Sequence, residues 1–361
     1  MSARNVSSLF QREAIFGEGR PAVVIGLNAV IITVAEEEPR ILVVRRADHA
    51  LAVDMPSRGL AEEPQDALPF GPFDPQVHRT LDLGVRDWVE TQTGLSLGYV
   101  EQLYTFADQY RDPRELAGGG RVASIGYLAL VHQGTPGGSG DAIWRSWHDY
   151  MPWEDWRDGR PAVLDEEILP GLEHWIEAAP DASHRSARLD RVAITFGTEA
   201  GAWDAERVLD RYQLLYEAGV VAEARRDRAA RIALGGTSQE DLPDQPAQTG
   251  PGRSMALDHR RILATAMSRI RGKLKYRPVV FELLPAAFTL LQMQRVVEAL
   301  SGVRLHKQNF RRLVIGSGLV DDTGRVEART GGRPAALFRF RREVLRERPA
   351  PGVGLPALRG A

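Results

Sequence analysis

The chain has 361 residues, a formal net charge of −2, 43% hydrophobic and 26% charged residues, and no cysteine. That length calls for two or three domains, and the missing thiols exclude disulfides, thiol catalysis and cysteine-based zinc sites. The longest apolar stretch, Ala22 to Val34, is 13 residues broken by Gly26, Asn28 and Thr33, short of the roughly 20 a membrane span needs.

The opening MSARNVSSLFQREAIF lacks the apolar core of a signal peptide, so a cytoplasmic location without membrane contact is expected. Charge is uneven along the chain. Between Arg253 and Arg348 stand 21 Lys/Arg and 8 Asp/Glu, a local +13 that leaves −15 on the remainder. A basic block on an acidic chain points to a polyanionic partner.

In chain order, Val23 to Val34 is apolar and β-branched, Glu36 to Pro39 makes a turn, and Ile41 to Val44 resumes as a second strand. Leu81 to Thr93 has helical spacing, with Leu81, Val85, Trp88 and Val89 on one face and Gly94 as its stop. Val100 to Phe106 and Val122 to Val131 read as further strands, with Tyr104 expected in the core. The order is that of a mixed α+β fold.

Four tryptophans, Trp144, Trp147, Trp153 and Trp156, fall within 13 positions. They suggest an inserted segment pinned by aromatic burial. Asp204 to Ala218 is an amphipathic pattern that Asp204 can cap and Gly219 ends. Leu234 to Gly252 has linker composition.

Asp258 to Arg271 carries a helical stripe of Ile262, Leu263, Ala266 and Ile270. Thr289-x-x-Gln292 is a capping-box pattern opening a helix with stripe Leu290, Met293, Val297 and Leu300, closed by Gly302. Only Val303, Arg304 and Leu305 separate it from a second helix starting near His306, a helix-turn-helix spacing. There Phe310, Leu313 and Val314 can face inward, leaving Lys307, Gln308, Asn309, Arg311 and Arg312 for bases and phosphates. Two short β patterns follow around Thr330-Gly331-Gly332-Arg333-Pro334; Phe338 and Phe340 alternate with Arg339 and Arg341. This is a wing whose Arg333 is placed to enter a minor groove. Lys273 and Lys275, in KLKYRPVVFELLP, are counted with the same DNA-binding surface.

The strings KLKYRPVVFELLP, FTLLQMQRVVEAL and RLHKQNFRR, with QTGLSLGYVEQLYTF, YRDPRE and RVASIGYLALV upstream, resemble the Nudix-related transcriptional regulators of bacterial NAD metabolism. The long variant of that family is the better match. The resemblance implies an N-terminal Nudix-like α/β/α sandwich over 1–133, an inserted helical subdomain over 134–233, a linker over 234–252, a winged helix over 253–348 and a tail over 349–361. It further implies a homodimeric repressor of a double-stranded DNA operator. Its effector is ADP-ribose or a related NAD metabolite, and it requires no cofactor.

A working Nudix helix has the form G-x5-E-x7-R-E-x-x-E-E-x-G and holds Mg²⁺ on its glutamates. Counted back from Gly94, the carboxylate positions hold Gln92, Thr91 and Trp88, and the upstream one holds Arg79. Shifted by one residue, Asp87 and Glu90 mimic part of the motif. A ligand binder is expected rather than a hydrolase, with an active hydrolase of a nucleoside diphosphate derivative as the alternative. For a diphosphate the candidates are Arg45, Arg46, Arg111 and Arg121; for a ring they are Phe70 and Phe73.

Overall fold

Strand β1 (Val23–Ala35) is the longest of the sheet, and its middle is wholly buried. The structure is a computed structural model that describes residues 23–46, 65–108, 121–132, 137, 141–198, 203–233, 250–327, 334–348 and 351–353. Strand β2 (Glu38–Arg46) follows through a turn in which Glu36 and Glu37 both take positive φ, 54° and 65°. Two such residues in succession match the twist of a hairpin, although Asn and Gly usually fill them. Here the turn is gripped from outside: Arg157 donates to the Glu37 carbonyl at 2.9 Å and Arg295 to its carboxylate at 2.7 Å.

The hairpin partners only from Ile32↔Ile41 to Ala35↔Glu38; beyond that the strands diverge. Strand β3 (Gln65–Ala67) fills the fork on β2 and β4 (Phe70–Pro72) fills it on β1. On its other edge β1 runs parallel to β6 (Arg121–Leu130), which pairs with β5 (Tyr99–Phe106), while β7 (Asp141–Ser146) pairs antiparallel with β2.

Helix α1 (Leu81–Thr93) covers one face, packing Val85, Trp88 and Val89 on Leu27, Ala29 and Ile31. It starts where Thr80 Oγ1 accepts from Leu83 N and ends at Gly94, φ 69°. Tyr104 departs from its expected place and is 58% exposed. A register shift between Gln102 and Thr105 breaks the alternation of β5, so Leu103 and Phe106, three apart, become the buried pair.

Of the four clustered tryptophans two are core, Trp147 and Trp153; Trp156 is half-buried, and Trp144 lies on β7, so the expected insertion begins with a strand of the main sheet. Trp147, Tyr150, Met151 and Trp153 are fully buried, and Trp156 lies 4.6 Å from Trp203, centroid to centroid. Helices α2 (Leu169–Glu177), α3 (Ala182–Phe196), α4 (Val208–Glu217) and α5 (Ala222–Ala233) follow. Helix α4 begins later than its sequence pattern implied. Asp204 spends its side chain on Glu206 N at 2.9 Å, a local turn that competes with a cap.

Of the linker segment, 234–249 lies outside the described residues, and the end at Gly250 to Gly252 is packed. A Cβ on Gly252 would fall 2.7 Å from the Tyr150 carbonyl oxygen. Helix α6 (His259–Tyr276) runs five residues past its expected end. It supplies the third layer of the sandwich: Ile262, Leu263, Ala266, Met267 and Ile270 join Val30, Ile32, Leu128 and Leu130 in the largest core cluster. It comes so near β6 that a Cβ on Gly126 would meet Ile262 at 3.0 Å.

The last module holds β8 (Phe288–Thr289), α7 (Leu290–Ser301), α8 (Lys307–Gly316), β9 (Val320–Glu327), β10 (Ala335–Phe340) and a short α9 (Val344–Glu347), with β10 central in a three-stranded sheet. The chain is a mixed α+β protein. Among the described residues no helix is long and apolar enough to cross a membrane.

Candidate functional site

Helices α7 and α8 form a helix-turn-helix whose geometry is fixed by buried polar groups. The capping box is complete: Thr289 Oγ1 accepts from Gln292 N at 3.1 Å, and Thr289 N donates to Gln292 Oε1 at 2.7 Å. At the far end Gly302 turns the chain at φ 74°. The three-residue junction is stapled by Glu298, 3% exposed, whose Oε1 accepts from Leu305 N at 2.9 Å. Gln294 Nε2 donates both to that carboxylate, at 2.8 Å, and to the Leu305 carbonyl, at 2.9 Å. Sequence reading missed both residues. Their sole signal was two polar groups four apart, one turn of helix, on the side that carries the apolar stripe.

With the turn fixed, α8 buries Phe310 and Val314 and half-buries Leu313, the side facing α7. Lys307, Gln308, Asn309, Arg311 and Arg312 are all exposed. Arg312 Nη2 makes one long contact within this face, to Asn309 Oδ1 at 3.4 Å. His306 provides no side-chain cap, so the first-turn N–H groups of α8 lack that acceptor. The face therefore offers cations and bidentate amides on a rigid helix, the chemistry that grips phosphates and reads base edges.

The wing is less cationic than its sequence. Arg339 lies 3.4 Å from Asp321, and Arg341 is paired with Glu347 at 2.6 Å. Arg333 lies outside the described residues. Lys273 departs from the expected surface: it is largely covered in the last turns of α6, whereas Lys275 in the same helix stays half-exposed. Lys273 is paired with Glu101 of β5 and Lys275 with Glu206. The Glu101 carboxyl is held below its ordinary range: burial would raise it, but Lys273 and Tyr99 hydrogen bonds outweigh that.

At α1, two of the residues that the count from Gly94 sets at Nudix carboxylate positions, Gln92 and Trp88, do structural work, while Thr91 and Arg79 are exposed. Gln92 is buried and mimics a strand partner, accepting from Phe70 N at 3.1 Å and donating to Phe70 O at 2.7 Å. Trp88 donates to the Pro72 carbonyl at 2.9 Å, and its ring lies so close over Gly71 that a Cβ there would stand 2.2 Å from it. Asp87 and Glu90 are exposed, and Asp87 sits 3.4 Å from His78. Among the described residues no three His, Cys, Asp or Glu side chains cluster for a metal.

The expected effector residues divide. Phe70 is 3% exposed and set edge-on to His259 with centroids 5.0 Å apart, so it is core and not an open stacking platform. Phe73 is half-buried beside His78. Arg121 is exposed and donates to the Ala107 carbonyl. Arg45 is exposed, 4.0 Å from Asp66. Arg111 and the Arg46 side chain lie outside the described residues.

Helix α6 runs from the fork of the sheet to the winged module, and over 18 residues it spans about 27 Å. Its first residue accepts from the fork of the sheet, Leu68 N to His259 Nδ1 at 3.0 Å. Near its end Arg271 reaches the last turn of α7, donating to Leu300 O at 3.1 Å, and also binds Glu154 at 2.5 Å. Glu154 is held as well by Arg211 at 2.6 Å. The Glu154 carboxyl sits below its ordinary value; burial opposes this, and the charges of Arg211 and Arg271 prevail.

Residues 280–340 match a protein family described as the NrtR DNA-binding winged helix domain. Over 86 residues the chain is 38% identical to an ADPR responsive transcriptional repressor, NtrR, of Acinetobacter baylyi. That stretch is 24% of this chain and spans 34%, about a third, of the relative's length. The structure is similar to that of Shewanella oneidensis NrtR complexed with a 27mer DNA, with 19% identity, 88% of this chain and 94% of that one covered, and a TM-score of 0.47. It is also similar to the NUDIX domain of the same NrtR complexed with ADP ribose, with 23% identity, 38% and 81% covered, and a TM-score of 0.30. The family match bears out the expected winged helix over 280–340, whereas the first part of the expected 253–348 span is α6, which packs on the sheet.

Proposed function

We propose that this chain, whose C-terminal module matches the NrtR winged helix family, is a ligand-responsive DNA-binding transcriptional regulator acting as a repressor in NAD-related metabolism. The observation that carries the reading is the division of α8. Phe310 and Val314 anchor one side, while Lys307, Gln308, Asn309, Arg311 and Arg312 stand free of the fold on the other. With α6 set aside, residues 280–348 still hold 13 Lys/Arg against 7 Asp/Glu, a local +6, and such a helix on that module suits a duplex major groove. In this reading the protein works in the cytoplasm as a homodimer on a palindromic operator. The sandwich domain holds ADP-ribose or a related nucleotide as effector.

We infer that this domain binds without cutting. The support is that Trp88 and Gln92, which stand at carboxylate positions when the helix is counted back from Gly94, are committed to holding β4 against α1. Selection of bound duplexes from a random pool, with and without ADP-ribose, tests the proposal. A single enriched palindrome whose recovery changes with ADP-ribose is the expected result. Equal affinity for the best-selected and random duplexes at physiological salt would overturn it.

A further inference from the structure

Asp66 of β3 is 3% exposed, and three guanidinium groups converge on it. Arg145 Nε of β7 lies 2.9 Å from Oδ2, Arg253 Nε lies 3.4 Å from the same oxygen, and Arg45 Nε of β2 lies 4.0 Å from Oδ1. Tyr150 already donates its hydroxyl proton to Oδ2 at 2.7 Å. One carboxylate, with one oxygen already engaged, thus has three guanidiniums within 4.0 Å. The Arg145 contact is an ion pair by distance alone: its buried Nε lacks the angle for a hydrogen bond and has no acceptor. Arg45 and Arg253 are half-exposed, with side chains 52% and 51% accessible. Each approaches Asp66 through Nε, while the forked ends that grip phosphates in pairs are left unengaged by that contact.

We propose that Arg45, Arg145 and Arg253 form an anion subsite that takes the phosphate or diphosphate group of a nucleotide effector. This rests on reading the sandwich domain as the effector domain. A dianion there would pair with the three guanidiniums and give the unspent N–H donors acceptors, with Asp66 keeping the guanidiniums oriented behind it. The three arginines come from strands β2 and β7 and from the segment entering α6; Arg45 is among the diphosphate candidates, but no local motif announces Arg145 or Arg253. The position of Arg253 gives the subsite its consequence. Its backbone N–H donates to the Asp149 carbonyl at 2.8 Å, and six residues on the chain enters α6 at His259. An anion that draws Arg253 toward Arg45 pulls on the helix whose other end holds the helix-turn-helix through Arg271 and Leu300.

The test is calorimetric titration of the full chain with inorganic pyrophosphate and, separately, with ADP-ribose. Wild type is compared with Arg45→Ala, Arg253→Ala and, as a control for net charge, the half-exposed Arg269→Ala. Circular dichroism verifies that each variant is folded. The expected result is binding of both ligands by wild type, at least tenfold weakening of both by Arg45→Ala and by Arg253→Ala, and no change with Arg269→Ala. If ADP-ribose binds all four proteins equally, the subsite is overturned while the effector reading stands. If wild type binds pyrophosphate but not ADP-ribose, and the two variants weaken it, the subsite stands and the effector reading falls. Binding of neither ligand, or equal weakening by all three substitutions, overturns the subsite.

Discussion

Arg271 donates from Nε to the carbonyl oxygen of Leu300 at 3.1 Å, so a helix that belongs to the sandwich holds the last turn of the first helix of the winged module. The same guanidinium donates from Nη2 to the Glu154 carbonyl at 3.0 Å and from Nη1 to its carboxylate, which Arg211 shares. Helix termini leave carbonyls without partners, and here one such group is satisfied by a cation fixed elsewhere in the chain. The orientation of α7 is thereby tied to α6, α4 and the tryptophan-rich segment at a single buried point.

Glu154 is the one carboxylate between Arg211 and Arg271, and all three side chains are 0–2% exposed. Glu154→Gln keeps the shape and leaves two buried guanidiniums without a countercharge. Breaking a buried pair in this way costs about 3–5 kcal/mol. Urea unfolding of the full chain measures it; a loss under about 1 kcal/mol would show that water reaches the cluster and screens it.

The same residue sets a pH dependence. Burial alone would raise the Glu154 carboxyl above its ordinary 4.5, but Arg211 and Arg271 bring it below that value. A depressed carboxyl contributes stability that is complete above the unfolded-state value and is lost as pH falls through the folded-state one. The wild-type urea midpoint should therefore drop as pH is lowered from the ordinary glutamate range into stronger acid. Glu154→Gln lacks that component, so the two curves should converge there. Parallel curves over the whole range would contradict the assignment.

The helix-turn-helix was legible because its determinants are local. A capping box is four residues long, a stripe repeats every three or four, and Phe310 and Val314 are one turn apart. What escaped was long-range pairing. Lys273 looks like DNA-facing charge in the sequence, yet its partner Glu101 lies 172 positions away. Arg271 and Glu154 are 117 apart. Helix α6 reads as part of the basic module by charge, but its apolar stripe closes the sandwich. Tyr104 failed for a different reason: the irregularity in β5 reverses which residues face inward, and nothing in the residue types marks it.

Restoring a carboxylate to α1 should not restore a hydrolase. Gln92 satisfies both backbone groups of Phe70, and Gln92→Glu replaces the Nε2 donor with a buried negative charge facing the Phe70 carbonyl. An unsatisfied buried polar group costs about 1–3 kcal/mol, and more when charged. The variant should melt earlier than wild type and show no turnover of ADP-ribose with Mg²⁺ or Mn²⁺. Product formation by the variant would mean that β4 and α1 can separate enough to admit a metal.

Arg311 and Arg312 are exposed on α8 and contribute nothing to its packing. Replacing either with Ala should leave thermal unfolding unchanged while weakening operator binding. The two possible roles separate by salt and sequence. Loss of a base contact costs about 1–3 kcal/mol and relaxes preference at one operator position. Loss of a phosphate contact weakens all duplexes alike and lowers the slope of log K against log salt by about 0.9. Fluorescence anisotropy with the selected operator and single-base variants, at several salt concentrations, assigns each arginine. Wild-type affinity in the Arg311→Ala, Arg312→Ala double variant would remove α8 from the interface and leave the basic segment without its reading helix.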